Sequence, residues 1–109
     1  MTNYIFIETR DPFESRDTEF IERTATALKQ RGHEVTVFLV QNGVLASRRN
    51  ARDSYLPRLT QAGVNLLADD FSLSERGIPT TELHPGVLPA SIELLVESLL
   101  QSNTKAIWH

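Results

Sequence analysis

Two adjacent aspartates, Asp69 and Asp70, end the apolar run in the segment GVNLLADDFSLSERGI (residues 63–78), where the pattern turns from strand-like to helix-like. Open α/β sheets place their ligands at such carboxyl ends of strands. A carboxylate there can cap the next helix, hold a ligand or metal, or move a proton. As neighbours in sequence the two face different ways, so they read as one acid at the crevice and one at the helix start, not as a dyad sharing a proton. The plainer reading, a helix cap beside a solvated acid, matches the frequency of Asp at helix starts.

Other chemistry is excluded by residue type. The chain has no cysteine, which removes thiolate nucleophiles, thiolate-bound zinc or iron–sulfur clusters, and disulfides. His33, His84 and His109 are scattered and lack i, i+4 spacing, so zinc has no signature and no metal site is expected. No G-x-G-x-x-G, P-loop or G-x-S-x-G element occurs, leaving nucleotide cofactors and serine hydrolysis unsupported; no cofactor is expected. A phosphoacceptor site built from Asp11, Asp69, Thr80 or Thr81 and Lys105 has the residue types but not the placement: Asp11 stands alone beside Pro12, and Lys105 opens the last strand instead of ending it.

Thr9 and Ser15, in the loop TRDPFESRDT, could hold a small anion with backbone amides of the helix that follows, although polar caps on a surface loop explain them as well. With Asn42, at the polar break after the second strand, and Ser72, just past the aspartates, they form the candidate ligand-binding set. Arg48, Arg49 and Arg52 are the only basic cluster, with Arg58 one or two turns beyond it; on a helix they would spread over more than one face, which suits a solvated or subunit-contacting patch.

The elements that must position these residues can be read from hydrophobic spacing. Tyr4–Ile7 is a strand halted before Pro12. Asp17 caps a helix carrying Phe20, Ile21, Thr24, Ala27 and Leu28 at one-turn spacing, ended by Gly32. Val35–Val40 is apolar almost throughout, as a central parallel strand should be. Asn50 starts a helix with Asp53 in its first turn and Tyr55, Leu56 and Leu59 inward, short or kinked because of Pro57. Val64–Ala68 is the third strand, followed by a brief helix over Ser72–Arg76 that Gly77 closes. A weak fourth strand falls near Leu83 or Val87, in a stretch holding three of the five prolines. Ser91–Leu100 is helical through Ile92, Leu95, Val96 and Leu99, and Lys105–Trp108 is a last strand whose edge another subunit could cover.

This order predicts one domain, residues 1–109, with a three-layer α/β/α architecture and a mainly parallel sheet of about five strands, flavodoxin-like in class. Hydrophobic residues at 40% and charged residues at 23% are ordinary globular values. A net charge of −3 opposes nucleic acid or an anionic membrane as partner. The start, MTNYIFIETRDP, lacks a basic n-region and a long apolar run, so a cytoplasmic location is expected.

Three segments resemble the DsrE/DsrF-like family, the sulfur-relay proteins related to TusD that share the YchN-like fold: the first strand followed by DPFESRDTEFIERTATALKQRGHEVTVFLVQNGV, then LTQAGVNLLADDFSLSERGI, then the closing helix and strand. The resemblance implies a homo-oligomer (trimer or hexamer) or a hetero-oligomer with DsrE-like subunits, and a persulfide-bearing cysteine at the end of the third strand. That position is Asp69 here, to within about one residue. A carboxylate cannot take up sulfane sulfur as a thiolate does. The expectation is therefore a non-catalytic binding or scaffold subunit, set against an enzyme that binds a small ligand or metal through Asp69 and Asp70, with an enzymatic role the less favoured of the two.

Overall fold

The computed structural model describes residues 2–13, 18–51 and 54–109. Its elements run β1 (Asn3–Glu8), α1 (Thr18–Gln30), β2 (Glu34–Leu39), a 3₁₀ segment (Gln41–Ser47), α2 (Leu56–Gln61), β3 (Asn65–Asp69), α3 (Asp70–Glu75), a second 3₁₀ turn (Thr80–Glu82), β4 (Val87–Ala90), α4 (Ile92–Leu99) and β5 (Thr104–Trp108). All strand pairs are parallel, in the order β4-β3-β2-β1-β5. The expected single α/β domain with a five-stranded parallel sheet is present. The strand order differs from the 2-1-3-4-5 of flavodoxin.

The register brings the strand ends together. Leu39 pairs with Ala68, Asp69 with Ala90, and Ile7 with both Phe38 and Trp108, so every strand delivers its carboxyl end to one edge. The VTVFL run takes the central position because its side chains are needed on both faces: Val35, Val37 and Leu39 on one, Phe38 on the other. Pro89 is tolerated because β4 is an edge strand.

The two faces are covered unequally. Phe6, the three β2 residues, Leu66 and Val87 pack against Ile21 and Ala25 of α1, Leu56 and Leu59 of α2, and Leu73 of α3. On the opposite face Ile5, Ile7, Phe38, Val40 and Ala90 meet one buried helical residue, Leu95 of α4. Gly43, in the first 3₁₀ segment, lies so close to β1 that a β-carbon there would overlap the Glu8 carbonyl.

Several boundaries depart from the sequence reading. The helix expected from Asn50 starts at Leu56, because a proline has no N–H to donate and fits a first turn, and Pro57 takes that place. Asp53, Arg52 and the cap at Asp17 lie outside the described residues. In α1 the buried residues are Thr18, Ile21 and Ala25, while Phe20 and Ala27 face outward. β3 runs one residue further, through Asp69, and α3 begins at Asp70, not Ser72. Of the α4 stripe, only Leu95 is buried.

Candidate functional site

Asp69 is the last residue of β3 and the N-cap of α3, with an extended backbone. Its Oδ2 accepts two bonds from one residue: the Ser72 backbone N–H at 3.0 Å and the Ser72 hydroxyl at 2.6 Å. The same hydroxyl accepts the Gln41 N–H at 2.9 Å, tying the exit of β2 to the start of α3. Gln41 is held at φ 51°, a left-handed conformation that costs about 1–3 kcal/mol in a residue with a β-carbon. A second tie runs from Arg76, whose Nε and Nη2 donate to the Asn42 Oδ1 at 3.2 and 3.1 Å.

Asp69 Oδ1 is different. It is buried and has no hydrogen-bond partner among the described residues, and the residue as a whole is 6% exposed. Asp69 lines a cleft of about 640 Å³ between α3 and α4 at the carboxyl edge. Asp70, Glu75 and Glu93 add carboxylates; Gln41, Ser72 and Ser91 are polar; Ile7, Val40, Ile92 and Leu95 form an apolar floor; Phe71 and Trp108 complete the wall. Among the described residues no lysine, arginine or histidine is part of the lining.

A second polar centre sits where the chain order reverses, between β1 and β5. Glu8, fully buried at the end of β1, accepts the Arg10 N–H through Oε1 and meets His109 Nδ1 through Oε2, both at 2.8 Å. The Thr9 hydroxyl donates to the His109 carbonyl at 2.9 Å, and the His109 N–H donates to the Ile7 carbonyl at 2.9 Å. Tyr55 is buried nearby with its hydroxyl unpartnered among the described residues. Burial, and then the charges of Glu8, Asp11 and Glu22, push its phenol far above the usual range.

The structure thus brings Asp69, Asp70 and Ser72 into one cleft and leaves Thr9 and Asn42 outside its lining, each engaged elsewhere. Ser15 lies outside the described residues. Gln41, Glu93 and the Glu8–His109 pair were not singled out by sequence. The topology rule could have found the last of these, since it places a site at the strand ends where the order reverses. Among the described residues no three His, Cys, Asp or Glu side chains are grouped closely enough to hold a metal ion. Arg58 is paired with Glu22 on α1, not offered to an anion.

These features define a three-layer parallel α/β protein with an acid-lined cleft at the carboxyl edge of its sheet. No protein-family model matches the sequence, and no curated protein does. Solved structures do match in shape. The ychN protein from E. coli superposes with a TM-score of 0.88 at 21% identity, covering 100% of both chains. MTH1491, a protein of unknown function from Methanobacterium thermoautotrophicum, gives 0.81 at 22% identity, again over 100% of both. BT1422, a conserved protein of unknown function from Bacteroides thetaiotaomicron, gives 0.77 at 19% identity over 98% of this chain and 94% of that one. The chain has the fold of these proteins. Among the described residues no helix is long and apolar enough to cross a membrane.

Proposed function

We propose that the protein is a non-catalytic binding subunit that assembles with further copies of itself through α4, in the cytoplasm, and does not carry sulfane sulfur. The observation that supports this is the open apolar face of α4. Ile92, Val96 and Leu99 recur at the spacing of a core stripe, yet they are half-exposed, and Leu100 beyond them is 80% exposed. A stripe of that kind is ordinarily buried, and Leu88, 63% exposed, extends it along the same side. The link to sulfur relay rests on the sequence resemblance, and the absence of cysteine removes the carrier chemistry itself.

The test is native mass. The expected species is three or six times the 12.3 kDa chain, and Ile92→Glu with Val96→Glu should reduce it to the single chain while leaving the circular dichroism spectrum unchanged. A parent protein that runs as a monomer, or a double variant that still assembles, overturns this reading.

A second reading has its own support. The unpartnered Asp69 Oδ1 in the wall of a cleft favours a site for a small ligand. In this reading the carboxylate takes the place of the family's thiol as a recognition group.

A further inference from the structure

We propose that the carboxyl-edge cleft binds an organic cation, a protonated amine carried on an apolar body. The inference rests on the reading of the cleft as a ligand site and names the class of ligand.

Charge excludes one class of ligand. Four carboxylates, Asp69, Asp70, Glu75 and Glu93, share the lining with no basic side chain among the described residues. Among the described residues only Glu75 has a cation close by, Arg76 Nη1 at 3.8 Å. An anion entering this cleft meets like charge, and a cation meets the opposite charge at every acidic wall.

Hydrogen bonding points the same way. Asp69 has one oxygen doubly satisfied by Ser72 and the other buried without a donor. A buried carboxylate oxygen is stabilised by a donor, most of all by a charged one. Within the Asp69–Ser72–Gln41 chain the Ser72 hydroxyl and both backbone N–H groups are already committed. A charged donor entering the cleft would supply the missing bond.

A metal ion is the competing cation, and geometry disfavours it. Metals need several ligands converging on one point, whereas no three acidic or histidine side chains are so grouped among the described residues. The carboxylates are spread over a cleft of about 640 Å³, the scale of a small organic molecule.

The remaining lining selects the body. Ile7, Val40 and Leu95 offer an apolar floor, and the aromatic side chains of Phe71 and Trp108, 66% and 69% exposed, are also part of the lining. Aromatic faces attract ammonium groups through the negative charge of the ring. Acids to hold the charge, rings to flank it and aliphatic residues beneath describe a site for an amphipathic amine.

Trp108 is the only tryptophan, so its fluorescence reports on the cleft directly. The purified full-length protein, in whatever assembly it forms, is titrated at pH 7 with 2-phenylethylamine, its neutral analogue 2-phenylethanol, and phenylacetate, with calorimetry as a second readout. The amine is expected to bind saturably, the alcohol at least tenfold more weakly and phenylacetate not at all. Asp69→Asn, which keeps a capping acceptor for Ser72, should weaken the amine at least tenfold and leave the alcohol unchanged. Glu93→Gln, outside the capping network, should weaken the amine about two- to threefold and tests the same point if Asp69→Asn misfolds. Equal affinity for amine and alcohol overturns the choice of a cation while the ligand reading survives. No binding of any of the three overturns both, and amine affinity unchanged in both variants removes the assignment to these carboxylates.

Discussion

The two faces of the sheet are built from the same five strands and covered very differently. On one face α1, α2 and α3 bury a continuous core; on the other α4 alone meets the sheet, and most of its apolar residues are turned to solvent. Both faces also hold a buried oxygen without a partner among the described residues, Tyr55 Oη on the thick side and Asp69 Oδ1 beside the cleft on the thin side. The first is sealed in the core and can only cost stability. The second is next to an opening, where a ligand can satisfy it. The same local defect is thus a packing flaw on one face and a candidate recognition element on the other.

If the thick face carries the fold, truncations on the two faces should differ sharply. Phe6→Ala removes a fully buried ring from the thick core and is expected to cost about 3–5 kcal/mol by urea denaturation. Leu95→Ala removes the one buried contact of α4, and its cost should fall at about 2 kcal/mol, the low end for leucine, because a thinly covered site can relax into the space. Equal costs would mean that the thin face is as tightly packed as the thick one and that its exposed stripe is ordinary surface.

Between the faces, at the carboxyl edge, Ser72 is the joint. Its hydroxyl accepts from Gln41 and donates to Asp69. Ser72→Ala breaks both bonds, leaving the Gln41 N–H without its acceptor and Asp69 Oδ2 with one donor instead of two, and should cost about 1–3 kcal/mol in the same denaturation experiment. The loss should be partly recovered by Ser72→Thr, which keeps the hydroxyl. A neutral Ser72→Ala would show that the cleft wall is held by packing alone.

The sequence specified the thick face well because that face is made of local patterns: a β-branched run for β1, a continuous apolar run for β2, and Asp69 placed to cap a short helix. It specified the thin face poorly. The α4 stripe has the spacing of a buried face, and spacing alone does not say whether the sheet or another chain covers it. The α2 start was misplaced because Asn50 and Asp53 have the composition of a helix start, and the constraint at Pro57, which belongs in a first turn, prevailed. In the cleft, Asp69 and Ser72 could be read because they lie three residues apart in sequence. Gln41, Glu93 and Trp108 come from three other elements, and only the strand order brings them there. The Glu8–His109 pair spans 101 residues of sequence and depends on β5 returning to the side of β1.

Tyr55 offers the smallest effect and the cleanest contrast with Asp69. Its hydroxyl is buried without a partner among the described residues, so Tyr55→Phe removes a desolvated polar atom at little change in volume and should stabilise the protein by about 1 kcal/mol at pH 7. Burial is the main cause of its raised pKa, with the nearby carboxylates Glu8, Asp11 and Glu22 adding to it. The fold therefore keeps the phenol protonated where the unfolded chain, with a tyrosine pKa of about 10, releases the proton. The folded state then binds more protons than the unfolded one above that pH, and stability must fall as pH rises, by up to about 1.4 kcal/mol per unit. Below pH 10 the term vanishes. The advantage of Tyr55→Phe over the parent should thus be constant from neutral pH to about 9 and widen above 10, followed by paired denaturant midpoints and by the 295 nm absorbance of tyrosinate, which for Tyr55 should emerge only on unfolding. Ligand binding in the cleft should be the same in both proteins, because this oxygen lies in the thick core. A gap between the two proteins that stays flat across pH 10 would mean that Tyr55 ionises in the folded state, and that the thick face is open to water at the position where it looks most closed.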